Sequence, residues 1–400
     1  MSGAKLVYYG TPAAVSDAIT WQDIVTLDFG VDASFFADGA LSVTFDWFQR
    51  DTDNMLVPME GISYTFGTSA PKGNYGSFRT RGWELAVNYG HQFSNGLTLT
   101  VDAALADALT KVTAYGSTNS ITSYYVGKTI GEIWGYETDR LYTKDDFVYD
   151  ENGNYKVIKS SDGYDVYETK DGVTQGFLQN SSSFKFGAGD VKFKDLNGDG
   201  KIDNGKQTID NHGDLKVIGN TTPRYEYSLR LALAWKGFDF SVFFQGVGKR
   251  EMWGQSPMNQ AGWNSSDGAM PQAIAGDFWI EGVNEDAFWP RAYNNGASAD
   301  INNMQVQSRY LLDMSYLRLK NLTFGYTLPE KLTKKVLLNK VRVYVALENF
   351  LTFDKLNGLP IDPEAIAGYS MLNTSNYNSG RVGVGTPAFK TASFGLQINF

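Results

Sequence analysis

The residues Asp195-Leu-Asn197-Gly-Asp199-Gly200-Lys201-Ile-Asp203 place side-chain oxygens at positions 1, 3, 5 and 9 of a loop whose sixth residue is glycine. Alternate side chains then converge on one point while the glycine permits a sharp turn, and Lys201 falls where a backbone carbonyl serves; this is the spacing of a calcium loop. Position 12 departs from it, since Lys206 stands where an acidic residue would close the shell, leaving Asp210 or Asp190 as substitutes. The plainer reading is a turn-rich loop with solvated carboxylates. A bound Ca²⁺ would be structural, and no cofactor is required.

A second constellation is Trp253, Trp263, Trp279 and Trp289, spread among Asn, Gln and Asp through residues 251–310. Aromatic faces beside amides and carboxylates suit sugar rings, which present apolar C–H faces and hydroxyl edges. The same tryptophans could instead pack a long ordered loop or meet a partner. Enzyme chemistry finds no support: only His91 and His212 occur, with no His-Glu-x-x-His pair and no serine elbow. Gly127-Lys128-Thr129 ends like a phosphate loop, but Thr122 occupies the first glycine position. The expectation is a protein that is not an enzyme.

The chain that must position these groups has 400 residues, 42% hydrophobic and 20% charged, which is an ordered composition. Its 25 Phe, 23 Tyr, 9 Trp and 42 Gly suit many strands and turns. The absence of Cys excludes disulfides and thiolate sites. A net charge of -9 argues against nucleic acid as a partner. No run approaches the roughly 18 apolar residues of a spanning helix, which leaves strands as the only spanning element open to it. Residues 1–15 hold no apolar leader, so export would require a preceding segment.

Period-two alternation recurs along the chain. Tyr225, Tyr227, Leu229, Leu231, Leu233 and Trp235 alternate with Arg224, Glu226, Ser228, Arg230 and Lys236. Nine strands are expected near 20–35, 40–53, 78–91, 97–112, 224–236, 238–250, 311–328, 341–353 and 389–400. Most are long enough for the roughly 9–11 residues a tilted strand needs to cross a bilayer. Leu317 and Leu319 are out of phase with Leu322, Phe324 and Tyr326, which places a bulge near Lys320. Trp47, Trp235 and Tyr344 are expected at the lipid face or its interfaces.

Short connections at 36–39, 92–96, 237 and 329–340 alternate with long ones at 54–77, 113–223, 251–310 and 354–388. Outer-membrane barrels sort periplasmic turns and extracellular loops in this way. Residues 1–19 then belong to an extracellular loop. An odd number of strands would leave unpaired backbone in lipid, so the barrel is expected to continue beyond this sequence. The chain ends on Phe394, Leu396, Ile398 and Phe400, alternating with polar or small residues as in a strand read by barrel-assembly machinery.

Whole phrases resemble the SusC-like (SusC/RagA) TonB-dependent transporters. They include Val126-Gly-Lys-Thr-Ile-Gly131 with Trp134-Gly-Tyr136, Gly189 to Asp203, Lys236-Gly-Phe-Asp-Phe-Ser-Val-Phe-Phe-Gln-Gly246, Tyr316-Leu-Arg-Leu-Lys-Asn-Leu-Thr-Phe-Gly-Tyr326 and Val341-Arg-Val-Tyr-Val345 with Glu348-Asn349. The resemblance implies an all-β fold: a partial antiparallel transmembrane barrel, the C-terminal portion of one with about 22 strands. It further implies a multi-pass protein of the Gram-negative outer membrane that imports oligosaccharides or peptides. A plug domain, absent here, would connect it to the TonB complex, and a SusD-like surface lipoprotein would serve as its lid. Arg224, Glu226, Arg230, Arg318 and Lys320 would face substrate or plug. The competing reading is a secreted β-rich carbohydrate-binding module with a calcium loop, which would bury its apolar strand faces against each other.

Overall fold

Alternating sequences of this kind form sheets with one apolar and one polar face, and register decides whether the faces stay coherent from strand to strand. A computed structural model describes residues 14–36, 39–59, 63–116, 119–254, 272–293, 302–364 and 388–400. It contains a nine-stranded antiparallel meander. The wall strands are β1 (Asp23–Phe35), β2 (Leu41–Pro58), β3 (Lys72–Gln92), β4 (Thr98–Ala114), β5 (Arg224–Trp235), β6 (Phe238–Lys249), β7 (Tyr316–Thr327), β8 (Lys340–Asp354) and β9 (Thr391–Asn399). Each pairs only with its sequence neighbours in the wall, and the sheet is open at β1 and β9.

The register lines up like with like. Asp32, Thr44, Ala86, Ala104, Ser228, Gln245, Arg318 and Thr352 form one row from β1 to β8. One residue away, Ala33, Val43, Val87, Ala103, Leu229, Phe244, Leu319 and Leu351 form the next, on the opposite face. The apolar face is bare: Phe45 is 40%, Leu229 41%, Phe324 49% and Phe394 76% exposed. A water-soluble sandwich would have buried these side chains against a second sheet, so the architecture is that of a barrel wall whose outer face meets lipid.

The expected bulge is present. Asn321 pairs with Phe243 and Leu319 with Phe244, leaving Lys320 as an extra residue that keeps Leu317, Leu319, Leu322 and Phe324 all on the apolar face. Tyr344 corrects an expectation. It shares the polar face with Arg342 and Ala346, between Gly325 and Gly395, and its ring leaves no room for a Cβ on Gly395. Trp47 and Trp235 lie on the apolar face: Trp47 stacks on Phe29 at 6.0 Å, and Trp235 follows Leu233 in the same alternation.

Because consecutive strands reverse direction, the connections 59–71, 115–223, 250–315 and 355–390 all leave the same end of the wall. The short ones, including the Lys236–Gly237 turn with both φ angles positive, share the other end. Most buried apolar side chains belong not to the wall but to the long connections. Tyr136, Tyr142, Phe147, Phe184, Phe186, Val191, Phe193, Ile202, Ile274, Trp279, Trp289 and Tyr310 share one core. The described parts of the connections 115–223 and 250–315 therefore fold together as a cap, with small two-stranded sheets such as Glu132–Tyr136 with Leu215–Asn220.

Candidate functional site: the polar wall face and its cap

Between β2 and β6 the polar face forms a groove of about 430 Å³ lined by Thr44, Asp46, Glu84, Ala86, Ala104, Ala106, Glu226, Ser228 and Gln245. Small residues at the centre leave the space open, and carboxylates mark its rim. Farther along, Arg318 is almost wholly enclosed, its side chain 5% exposed, yet it is fully partnered. It donates to Asp362 at 2.6 Å, to Glu364, and to Thr352 Oγ1 at 3.0 Å, while Lys320 Nζ lies 2.9 Å from Glu364. A guanidinium removed from water needs such a fork of acceptors. The stretch 355–364 thus folds back over the polar face and is anchored there by two cations of β7.

Of the other charges expected on this face, Arg230 comes within 3.9 Å of Asp102, and Glu226 lines the groove. Arg224 is engaged elsewhere, in a two-pronged ion pair with Asp107 beside Tyr225, whose φ of 55° turns the chain.

In the cap, Trp279 and Trp289 are each 5% exposed. Trp289 stacks on Tyr310 with ring centroids 4.8 Å apart and planes 5° apart, and Trp253 packs against the same cluster. These rings are mostly enclosed in the core of the cap, and Trp289 also lines a pocket of about 310 Å³ with Asp277, Phe288, Arg309 and Tyr310. Trp263 lies outside the described residues.

A polar seam ties the two largest cap segments together. Asp190 is fully buried and accepts hydrogen bonds from Tyr293 Oη at 2.7 Å, Asn303 Nδ2 at 2.7 Å and the Gly187 amide at 2.8 Å. Burial pushes its carboxyl up to about 6, against the opposing pull of those donors. Asn303 Oδ1 accepts from Val191 N at 2.8 Å, and Gln307, fully enclosed, accepts from Thr138 Oγ1 at 2.8 Å. Sequence reading passed over Asn302, Asn303 and Gln307 because amides far apart in sequence carry no motif.

The acidic loop closes on itself. Asp195 accepts from the amides of Gly198 at 2.7 Å and Gly200 at 2.9 Å, and Asn197 and Asp199 make similar turns. Lys201 Nζ sits 2.6 Å from Asp203 and 4.0 Å from Asp199. The acidic neighbour is neither Asp210, bonded to Asn119, nor Asp190, but buried Asp214, which accepts from Leu196 N and Asp203 N, both at 2.8 Å, and whose pKa burial raises. Among the described residues no three His, Asp or Glu side chains draw together as a metal cluster. Phe394, Leu396 and Ile398 project from the apolar face of β9 opposite Val345, Val343 and Val341, and Phe400 is 87% exposed.

A single-layer meander with a lipid-ready face, a polar face and a cap at one end defines a segment of an outer-membrane β-barrel wall. No protein-family profile matches the chain. It is 27% identical over 399 residues to TonB-dependent receptor P3 of Formosa agariphila, covering 96% of this chain and 35% of that protein. TonB-dependent receptor P26 of the same organism is 22% identical over 382 residues, with 96% and 35% covered. Among solved structures, the RagAB peptide transporter superposes with a TM-score of 0.60 at 19% identity, covering 95% of this chain and 36% of that one. Its open-open state gives 0.61 at 19% identity, with 96% and 35% covered. The chain spans about a third of the length of the curated relatives it matches. The chain is thus similar in sequence to TonB-dependent receptors along nearly its whole length, and it shares the fold of the RagAB transporter barrel.

Proposed function

We propose that the protein carrying this chain imports an oligomeric nutrient, an oligosaccharide or a peptide, across the outer membrane, and that this chain supplies barrel wall and the extracellular cap. The observation that carries the reading is the row of polar and small residues from Asp32 to Thr352, backed by the apolar row from Ala33 to Leu351. A wall built so separates an aqueous lumen from lipid. The long connections face outward, where a SusD-like lipoprotein docks on the cap. The charged groove and the Arg318 anchor face the lumen, where substrate passes and a plug belonging to the rest of the protein engages the TonB complex. Barrel-assembly machinery reads Phe394, Leu396, Ile398 and Phe400. The test is uptake of labelled oligosaccharides and peptides by cells with and without the gene. Loss of uptake of one class, together with arrest by a protonophore, supports the reading; unchanged uptake of every class contradicts it.

The acidic loop braces the cap. A calcium ion held by Asp195, Asn197, Asp199, the Lys201 carbonyl and Asp203 would have to draw Asp203 away from the Lys201 ammonium. Thermal unfolding with millimolar calcium and with chelator decides whether the brace includes an ion: a midpoint raised by calcium, and raised further in Lys201→Met, supports the calcium form, and coincident curves in both proteins contradict it.

A further inference from the structure

On the apolar face, the rows nearest the capped end change character. Phe45, Leu85 and Leu105 are followed by Trp47, Trp83 and Asp107, the last neutralised by Arg224, then by Gln49, Arg81 and Leu109, then by Asp51, Arg79 and Lys111. A lipid-facing row of tryptophans marks the edge of the hydrocarbon layer, so the next two rows lie at headgroup level. There Arg79, Arg81, Leu109, Lys111 and Thr113 line a recess of about 490 Å³ closed by Val126 and Gly127. The segment 127–130 forms its far wall, bonded along β4 through Gly127 N to Val112 O at 2.8 Å and Ile130 N to Thr110 O at 2.9 Å.

The charges do not cancel inside this recess. Arg79 is paired with Asp51 at 2.5 Å, and Asp53 is near enough to act on it. Arg81 is exposed, donates to the neutral amide oxygen of Gln49 at 2.8 Å, and lies near enough to act on Asp51 as well, so that three cations face the two carboxylates Asp51 and Asp53. Lys111 is exposed too, and enters none of the ion pairs among the described residues. Val126, 63% exposed, adds an apolar edge to the same recess. Two cations beside an apolar lip, on the lipid side of the wall and just above its tryptophans, match a phosphate on a lipid headgroup whose chains run down past Trp47 and Trp83.

We propose that Arg81 and Lys111, with Arg79, form a binding site for the phosphate of an outer-leaflet lipid, lipopolysaccharide being the phosphate-bearing lipid of that leaflet. The site rests on the orientation given above, with the capped end outside. Its test is a titration of the whole protein, purified in detergent, with lipopolysaccharide and with the same material after phosphatase treatment, read by microscale thermophoresis. The wild type is expected to bind the untreated lipid about tenfold more tightly than Arg81→Gln/Lys111→Gln does, and than it binds the dephosphorylated lipid. Lys334→Gln/Lys335→Gln, which removes two charges at the other end of the wall, is expected to leave binding unchanged. Equal binding by the wild type and the Arg81/Lys111 variant overturns the proposal, as does indifference to dephosphorylation. Displacement by millimolar inorganic phosphate alone would make this a free-phosphate site and also overturn it. Uptake, measured separately, reports on the import reading: a wild type that binds lipid but imports nothing would sink that reading and leave this site standing.

Discussion

Asp190 shows how a single buried carboxylate couples two cap segments and makes that coupling sensitive to pH. Its folded pKa, about 6, lies above the ordinary carboxylate value of 3.8 because burial disfavours the charge. The folded state therefore holds the proton more tightly than the unfolded one. The stabilisation is complete below pH 4, is lost as pH rises toward 6, and stays lost above it, by on the order of 3 kcal/mol. Other acids of the cap, such as Asp146 and Asp171, shift downward and act in the opposite sense. The measurable quantity is thus the difference between wild type and Asp190→Asn in the opening free energy of the cap, followed by hydrogen exchange. It should change between pH 4 and 6 in favour of the variant and be flat above 6. Little of this was legible beforehand: Asp190 was noted only as a spare ligand, and its real partners Tyr293 and Asn303 lie more than a hundred residues along the chain. The tryptophans illustrate the same limit, since spacing reveals aromatic side chains but not whether a ring such as Trp289 meets Tyr310 or a ligand.

Strands were legible because their signal is local. Alternation of Leu229, Leu231 and Leu233 with Ser228 and Arg230 needs no distant partner to be seen, and the expected spans agree with β1–β9 to within a few residues at most ends. The largest departures are at β2 and β3, which run past the expected ends as a hairpin to Pro58 and Lys72, and at β7, where Leu312–Asp313 pairs separately with Glu251–Met252. The cap sheets escaped notice because strands of three to six residues are too short for alternation to show. The bulge at Lys320 makes a sharper prediction. Deleting Lys320 removes the extra residue but keeps Leu317 and Leu319 on the lipid face and Arg318 on the polar one, so the barrel should still assemble. Leu322→Arg instead puts a charge on the lipid face in mid-strand, at a cost of roughly 2–4 kcal/mol near the midplane. Heat-modifiable mobility of the membrane-inserted proteins reads the outcome: comparable barrel bands for the Lys320 deletion and Leu322→Arg would contradict the register.

At the scale of the whole molecule, the wall and the cap are stabilised by different means. The wall keeps its apolar side chains for lipid and is held by its hydrogen-bond ladder, while the cap buries aromatic side chains as a globular domain does. Class and location follow from the wall, which is why they could be read from one sequence. Under the proposed function, substrate choice would lie in surfaces of the cap and lumen formed by residues without local pattern, which is why it could not. The central claim, that odd-numbered residues of mid-β5 face lipid and even-numbered ones face water, can be measured directly with single cysteines, to which this chain adds none of its own. Single substitutions Ser228→Cys, Leu229→Cys, Arg230→Cys and Leu231→Cys, spin-labelled in the whole protein reconstituted in bilayers, report collisions with oxygen and with a water-soluble nickel chelate. Oxygen should dominate at positions 229 and 231 and the chelate at 228 and 230. Chelate access at all four positions, or no alternation among them, would contradict the account.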